Sequence, residues 1–147
     1  MEAARVEMDK GTTISLTVPA KAEYVIVCRL ALDGLADATP LSAEALSDLK
    51  LAVTEACANS IAHAYSSEGG VIRVGVALQA DRVLVEVADD GAGIGRPEIR
   101  SFEPTPEHEL GEGGMGLALI DALVDDLEVG PGLDGRGTRV AFSKRLG

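Results

Sequence analysis

Glu55 and Asn59 lie four residues apart in a segment whose other members are largely apolar, among them Val53, Ala56, Cys57 and Ile61. At helical spacing both project from one face, one turn from each other, and His63 continues the stripe. A carboxylate placed there can accept the proton of an attacking hydroxyl. An Asn carbonyl oxygen is a hard ligand suited to Mg2+, an ion that keeps waters and shares the phosphates of a substrate. The plain alternative is a solvated helix face carrying a polar pair.

Two further runs have nucleotide chemistry within reach. Asp89 closes an alternating run and opens Asp89-Asp-Gly91-Ala-Gly93. Asp and Gly suit an ordinary turn. Held at the end of a strand, the Asp89 carboxylate can instead accept a hydrogen bond from an adenine amino group. Gly91 and Gly93 would let the backbone approach the flat base closely. Gly111-Glu-Gly-Gly-Met-Gly116 leads into a helix, whose free N–H groups and dipole favour phosphate; otherwise it is a flexible loop. The run formally matches G-x-G-x-x-G, but no strand directly precedes it, and the Lys-Ser/Thr of a P-loop is missing. In this order, the three runs point to an ATP site built around a magnesium ion.

The elements that must position these residues are legible from periodicity. Residues 1–11 are polar and read as frayed. Thr12 to Val18 alternates as a half-buried strand that Pro19 ends, and Lys21 to Ala36 has helical spacing. Ser42 is an N-cap candidate with Glu44 in the first turn of a long helix that runs to about Tyr65. Val71–Leu78 and Arg82–Ala88 alternate about a short polar link and form a hairpin. Residues 95–113 are long, polar and Pro-containing, and a loop of that length is functional or disordered. Met115 to Asp125 is a short amphipathic helix. Leu127–Val129 and Thr138–Phe142 are closing strands joined by a Gly-rich turn. The layout predicts an α+β two-layer sandwich: a mixed, mostly antiparallel sheet covered on one face by helices.

Composition narrows the classes of function. The 147 residues suit a single domain spanning 1–147. With 46% hydrophobic but only 3% aromatic residues, the core must be aliphatic. A net charge of −11 with no basic stripe argues against direct nucleic-acid binding. Cys28 and Cys57 sit in apolar helical surroundings and read as buried, reduced thiols. His63 and His108 have no metal-ligand spacing, and Arg29 reads as a snorkelling surface side chain. There is no apolar leader, and no apolar run approaches the ~18 residues of a membrane span, so the expectation is a cytoplasmic protein without membrane contact.

Glu55-x-x-x-Asn59, Asp89-x-Gly91-x-Gly93, Gly114-x-Gly116 and Gly137-Thr138 resemble, in order, the N, G1, G2 and G3 boxes of the GHKL ATPase superfamily. Over nearly its whole length the chain is similar to the bacterial anti-sigma factors that are also serine-protein kinases, the RsbW type. Val18 to Val25, Asp48 to Asn59, His63-Ala-Tyr65 and Glu112 to Leu117 carry that similarity. The resemblance implies the Bergerat ATP-binding fold, a homodimer, ATP and Mg2+. It also implies two protein partners: a sigma factor, which the protein sequesters, and an anti-anti-sigma protein of the STAS type, which it phosphorylates on serine. Carried over by position, Glu55 is the general base and Asn59 the Mg2+ ligand. Asp89, Gly91, Gly93 and Thr138 hold the adenine. Gly114, Met115, Gly116 and Leu117 face the phosphates under a lid at 95–113, and Arg29 contacts the partners.

One position departs from part of the family. Some members carry an Arg two residues before the first glycine of G-x-G, where it reaches the γ-phosphate. Here Glu112 stands there, so a neutralising cation must come from Mg2+, Arg96, Arg100 or elsewhere. Two other readings therefore accompany the kinase: a nucleotide-gated anti-sigma protein without catalysis, and a partner-independent ATPase in which Glu55 activates water.

Overall fold

The computed structural model describes residues 12–64, 70–89, 113–132 and 137–146. Strand β1 (Thr13–Pro19) leads through a 3-10 turn (Ala22–Tyr24) into helix α1 (Val25–Ala36). Helix α2 (Ala43–Ala64) follows, then the hairpin of β2 (Val71–Leu78) and β3 (Arg82–Asp89). Helix α3 (Gly113–Leu123), β4 (Asp126–Pro131) and β5 (Thr138–Arg145) complete the described elements.

Local signals explain where these elements begin. Ser42 Oγ accepts the Ala45 N–H at 3.0 Å, which supplies a partner to one of the orphan donors at the start of α2. Glu44 in the same turn complements the positive end of the helix. The β2–β3 hairpin is closed by the Gln79 N–H donating to the Arg82 carbonyl at 2.9 Å. At the far end of α3, the Asp125 N–H leaves the helix and bonds the Ser143 carbonyl at 2.9 Å, which turns the chain into β4.

The strand order is β1-β2-β3-β5-β4. Every described pairing is antiparallel, where the sequence reading expected a mixed, mostly antiparallel sheet. The reason lies in the connections. Pro19 at the end of β1 pairs with Val71 at the start of β2, so the α1–α2 connection returns the chain to the end of the sheet that it left. β3 and β4 do run parallel, but β5 lies between them and opposes both.

Alternation sorts the sheet residues. Val83, Val85, Val87 and Asp89 of β3 are buried, as are Ile72, Val74 and Val76 of β2. The apolar members of this set meet Leu32 and Leu35 of α1, Leu49, Val53 and Ala56 of α2, and Leu117 and Ile120 of α3 in one aliphatic core. α2 is the middle of the helical layer, since it packs on α1, α3, β3 and β5. The core thereby fixes α2 against α3 on one side and against the sheet beneath.

Cys28 of α1 and Cys57 of α2 are both buried in this core, as the sequence predicted. The two thiols interact with each other. Contact with Cys28, then burial, pushes the Cys57 thiol above its ordinary range.

Candidate functional site

The polar groups of the site stand on α2, α3, β3 and β5. Glu55 and Asn59 fall one turn apart on α2, and they differ in exposure. Glu55 is partly exposed, whereas Asn59 is only 5% exposed. Among the described residues, the Asn59 side-chain oxygen Oδ1 has no hydrogen-bond partner. A buried carbonyl oxygen left unpaired costs about 1–3 kcal/mol, so such an atom calls for a ligand. A hard cation fits an unpaired amide oxygen of this kind, and the residues present therefore suit Mg2+.

Helix α3 brings its first turns against Glu55. Gly116 is buried, and a Cβ built on it would lie 3.3 Å from Glu55 Oε1. The carboxylate thus sits directly over the backbone of α3 near its N-terminus. Gly114 and Met115 belong to the same opening turn. Leu117, the last of the four residues read there as phosphate-facing, is 2% exposed and its side chain belongs to the aliphatic core. What Leu117 brings to a nucleotide is then its backbone.

At the end of β3, Asp89 is fully buried, level with Ile72 of β2. Its Oδ1 accepts the backbone N–H of Thr138, the first residue of β5, at 3.3 Å. Gly137 makes this possible. Its φ of 71° is left-handed, a conformation that glycine adopts without steric cost, and it turns the chain into β5 with the Thr138 amide aimed at the carboxylate. A buried carboxylate held by a backbone donor is oriented to accept a further donor, as an exocyclic amino group would require.

Arg29 lies elsewhere, on the exposed side of α1. It lines a surface groove of about 380 Å3 together with Ala43, Leu46, Ser47, Lys50, Leu51 and Thr54 of α2. Lys50 is anchored there by a 2.9 Å ion pair with Asp33. Around Arg29 the surface is apolar: Ile26 is 56% and Leu30 58% exposed, with Tyr24, Val27 and Leu51 exposed as well. A contiguous apolar patch on a helix surface is a candidate for contact with another protein. The sequence reading singled out Arg29 and its apolar neighbours but did not read any of them as exposed. The signal was present, because apolar residues at 25, 26, 27, 30, 32 and 35 exceed what one buried helix face needs.

Of the other residues proposed from sequence, Gly91 and Gly93 and most of the 95–113 segment, including Arg96, Arg100 and Glu112, lie outside the described residues. So do the side chains of His63 and Met115. Among the described residues, no helix is long and apolar enough to cross a membrane.

An antiparallel sheet covered by helices, with a carboxylate and an amide on the central helix and a buried Asp at a strand end, defines a nucleotide-binding ATPase domain. The family model for the histidine kinase-like ATPase domain matches residues 18–144. The serine-protein kinase RsbW of Oceanobacillus iheyensis is 41% identical over 122 residues, which cover 79% of this chain and 77% of that protein. The serine-protein kinase RsbW of Bacillus cereus is 36% identical over 127 residues, covering 83% and 79%. The solved RsbU and RsbW domains of a Mycobacterium tuberculosis protein superpose with a TM-score of 0.67 at 22% identity. That match covers 92% of this chain and 32% of the longer one, and it shows the shared fold. The chain belongs to the histidine kinase-like ATPase domain family, among its serine-protein kinases of the RsbW type.

Proposed function

We propose that this protein is an ATP-dependent serine-protein kinase that also acts as an anti-sigma factor. It sequesters a sigma factor and phosphorylates a serine on an anti-anti-sigma protein. The observation that carries the catalytic part is the pairing, one turn apart on α2, of a partly exposed Glu55 set against Gly116 of α3 with a buried Asn59 whose Oδ1 lacks a partner among the described residues.

In this reading the serine oxygen bonds to the γ-phosphorus of ATP as the bond to the departing ADP oxygen breaks. Glu55 accepts the serine proton. Asn59 Oδ1 would hold Mg2+, which would supply charge neutralisation on the phosphates. Asp89, held by the Thr138 amide, receives the adenine amino group, with Gly91 and Gly93 beside the base. The backbone N–H groups of Gly114, Met115, Gly116 and Leu117 at the start of α3 receive phosphate oxygens. Most of the work is positioning and electrostatics, as phosphoryl transfer requires.

Arg29 and the apolar residues around it form the partner-binding surface. Here the sigma factor and the anti-anti-sigma protein dock, on a protein that works as a homodimer. The same exposed surface also favours a second reading, a nucleotide-gated sequestering protein without phosphotransfer. One experiment separates them. The purified protein is incubated with Mg-ATP and the STAS-type proteins of its host, and intact mass is recorded. Gain of one phosphoryl group on a serine supports the kinase. Stoichiometric capture of a partner with no mass gain on any candidate supports sequestration alone.

A further inference from the structure

We propose that Gly116 is a positioning residue for Glu55: the absence of a side chain at 116 sets where the Glu55 carboxylate stands. This rests on the reading of Glu55 as proton acceptor. A Cβ at 116 would come 3.3 Å from Glu55 Oε1 and 4.0 Å from the Glu55 backbone oxygen. The second distance is ordinary van der Waals contact, whereas the first is tighter than side chains normally accept. Equivalent Cβ atoms on Gly34 of α1 and Gly130 of β4 would meet nothing within 4 Å, so those two glycines do not share the crowding found at Gly116.

Backbone conformation does not call for glycine here. Gly137 is the described glycine with a left-handed φ, while Gly116 lies inside the regular span of α3. In a helix, alanine is favoured over glycine. The atom it would meet is the far end of a flexible side chain, so the fold can absorb the change. The cost falls on the carboxylate, which must withdraw by a few tenths of an ångström from its place over α3. Proton acceptance is sensitive to displacements of that order, whereas nucleotide binding through the backbone N–H of residue 116 is not, because alanine keeps that N–H.

The test measures kcat for phosphotransfer, the Kd for Mg-ATP and the thermal midpoint of the full chain. Wild type is compared with Gly116→Ala, Glu55→Gln and the double variant. The expected result for Gly116→Ala is an unchanged or raised midpoint, an unchanged Kd and a kcat lowered about tenfold. With the carboxylate already gone in Glu55→Gln, adding Gly116→Ala has no further effect on kcat. An unchanged kcat in Gly116→Ala overturns the proposal. So does a double variant in which the two losses multiply, since Gly116 would then act independently of Glu55. A wild-type rate in Glu55→Gln overturns the base reading itself, which separates the two failures. If Gly116→Ala lowers the midpoint, kcat is read well below it, where the chain is folded, and Glu55→Asp is the second background. Its side chain is one methylene shorter and draws back from residue 116, so Gly116→Ala must cost less kcat there than in wild type.

Discussion

Asp89→Asn is the substitution that exposes the chemistry of the base pocket most clearly. The shape of the side chain is kept and its charge is removed. Asp89 is fully buried, so solvent cannot replace whatever hydrogen bond is lost. The Thr138 N–H, 3.3 Å from Oδ1, is a donor and requires an oxygen opposite it. The asparagine must therefore turn its carbonyl oxygen to Thr138 and present its NH2 group in place of the other carboxylate oxygen. An adenine amino group arriving there would meet a donor instead of an acceptor. Loss of one hydrogen bond to a charged group is worth about 1.5–3 kcal/mol. That corresponds to roughly a 10- to 150-fold rise in the Kd for ATP. Folding should survive, because removing a buried charge leaves the packing unchanged. Calorimetric titration with ATP and with inosine triphosphate, whose 6-oxo group is an acceptor, reads the effect directly. The variant should lose its preference for ATP and gain relative affinity for the 6-oxo nucleotide. A Kd for ATP within about threefold of wild type, with no change in that preference, would refute the reasoning.

The remaining predictions concern the other parts of the account. Asn59→Ala should weaken ATP binding about tenfold or more in the presence of Mg2+ and much less in its absence, as titrations with and without a chelator would reveal. Arg29→Glu should weaken capture of the sigma factor and of the anti-anti-sigma protein by about tenfold or more while leaving the Kd for ATP unchanged; partner affinity at wild-type level would remove Arg29 from the docking surface. Leu49→Ala, at a position with no exposure in the first third of α2, should cost about 2–5 kcal/mol in urea unfolding, and a cost under about 1 kcal/mol would contradict the core described here.

The residues that carry the proposed chemistry were legible because their spacing is local. Glu55 and Asn59 share a helix face by arithmetic alone, and Asp89 ends an alternating run. The capping role of Ser42 was equally readable. Elements whose limits depend on tertiary contacts were placed less well. Helix α3 was expected at Met115–Asp125 and spans Gly113–Leu123. Its start was missed because glycines read as breakers, and its end because the Asp125 N–H is claimed by Ser143 of β5 rather than by the helix. Strand β5 continues beyond Phe142 to Arg145 although its last residues are polar. Lys144 is tolerated there because its ammonium reaches Asp48 at 3.0 Å and the Leu123 carbonyl at 2.7 Å. Neither partner is near it in the sequence. The contact between Gly116 and Glu55 was invisible for the same reason: sixty-odd residues separate the two, and only the packing of α2 on α3 brings them together.

The central claim is that Glu55 accepts the serine proton during phosphotransfer. Its most direct test is the phosphotransfer rate of Glu55→Gln at saturating Mg-ATP and saturating anti-anti-sigma protein. The account predicts a rate lower by roughly 10²- to 10⁴-fold with the Kd for ATP retained. A rate close to that of wild type would contradict it.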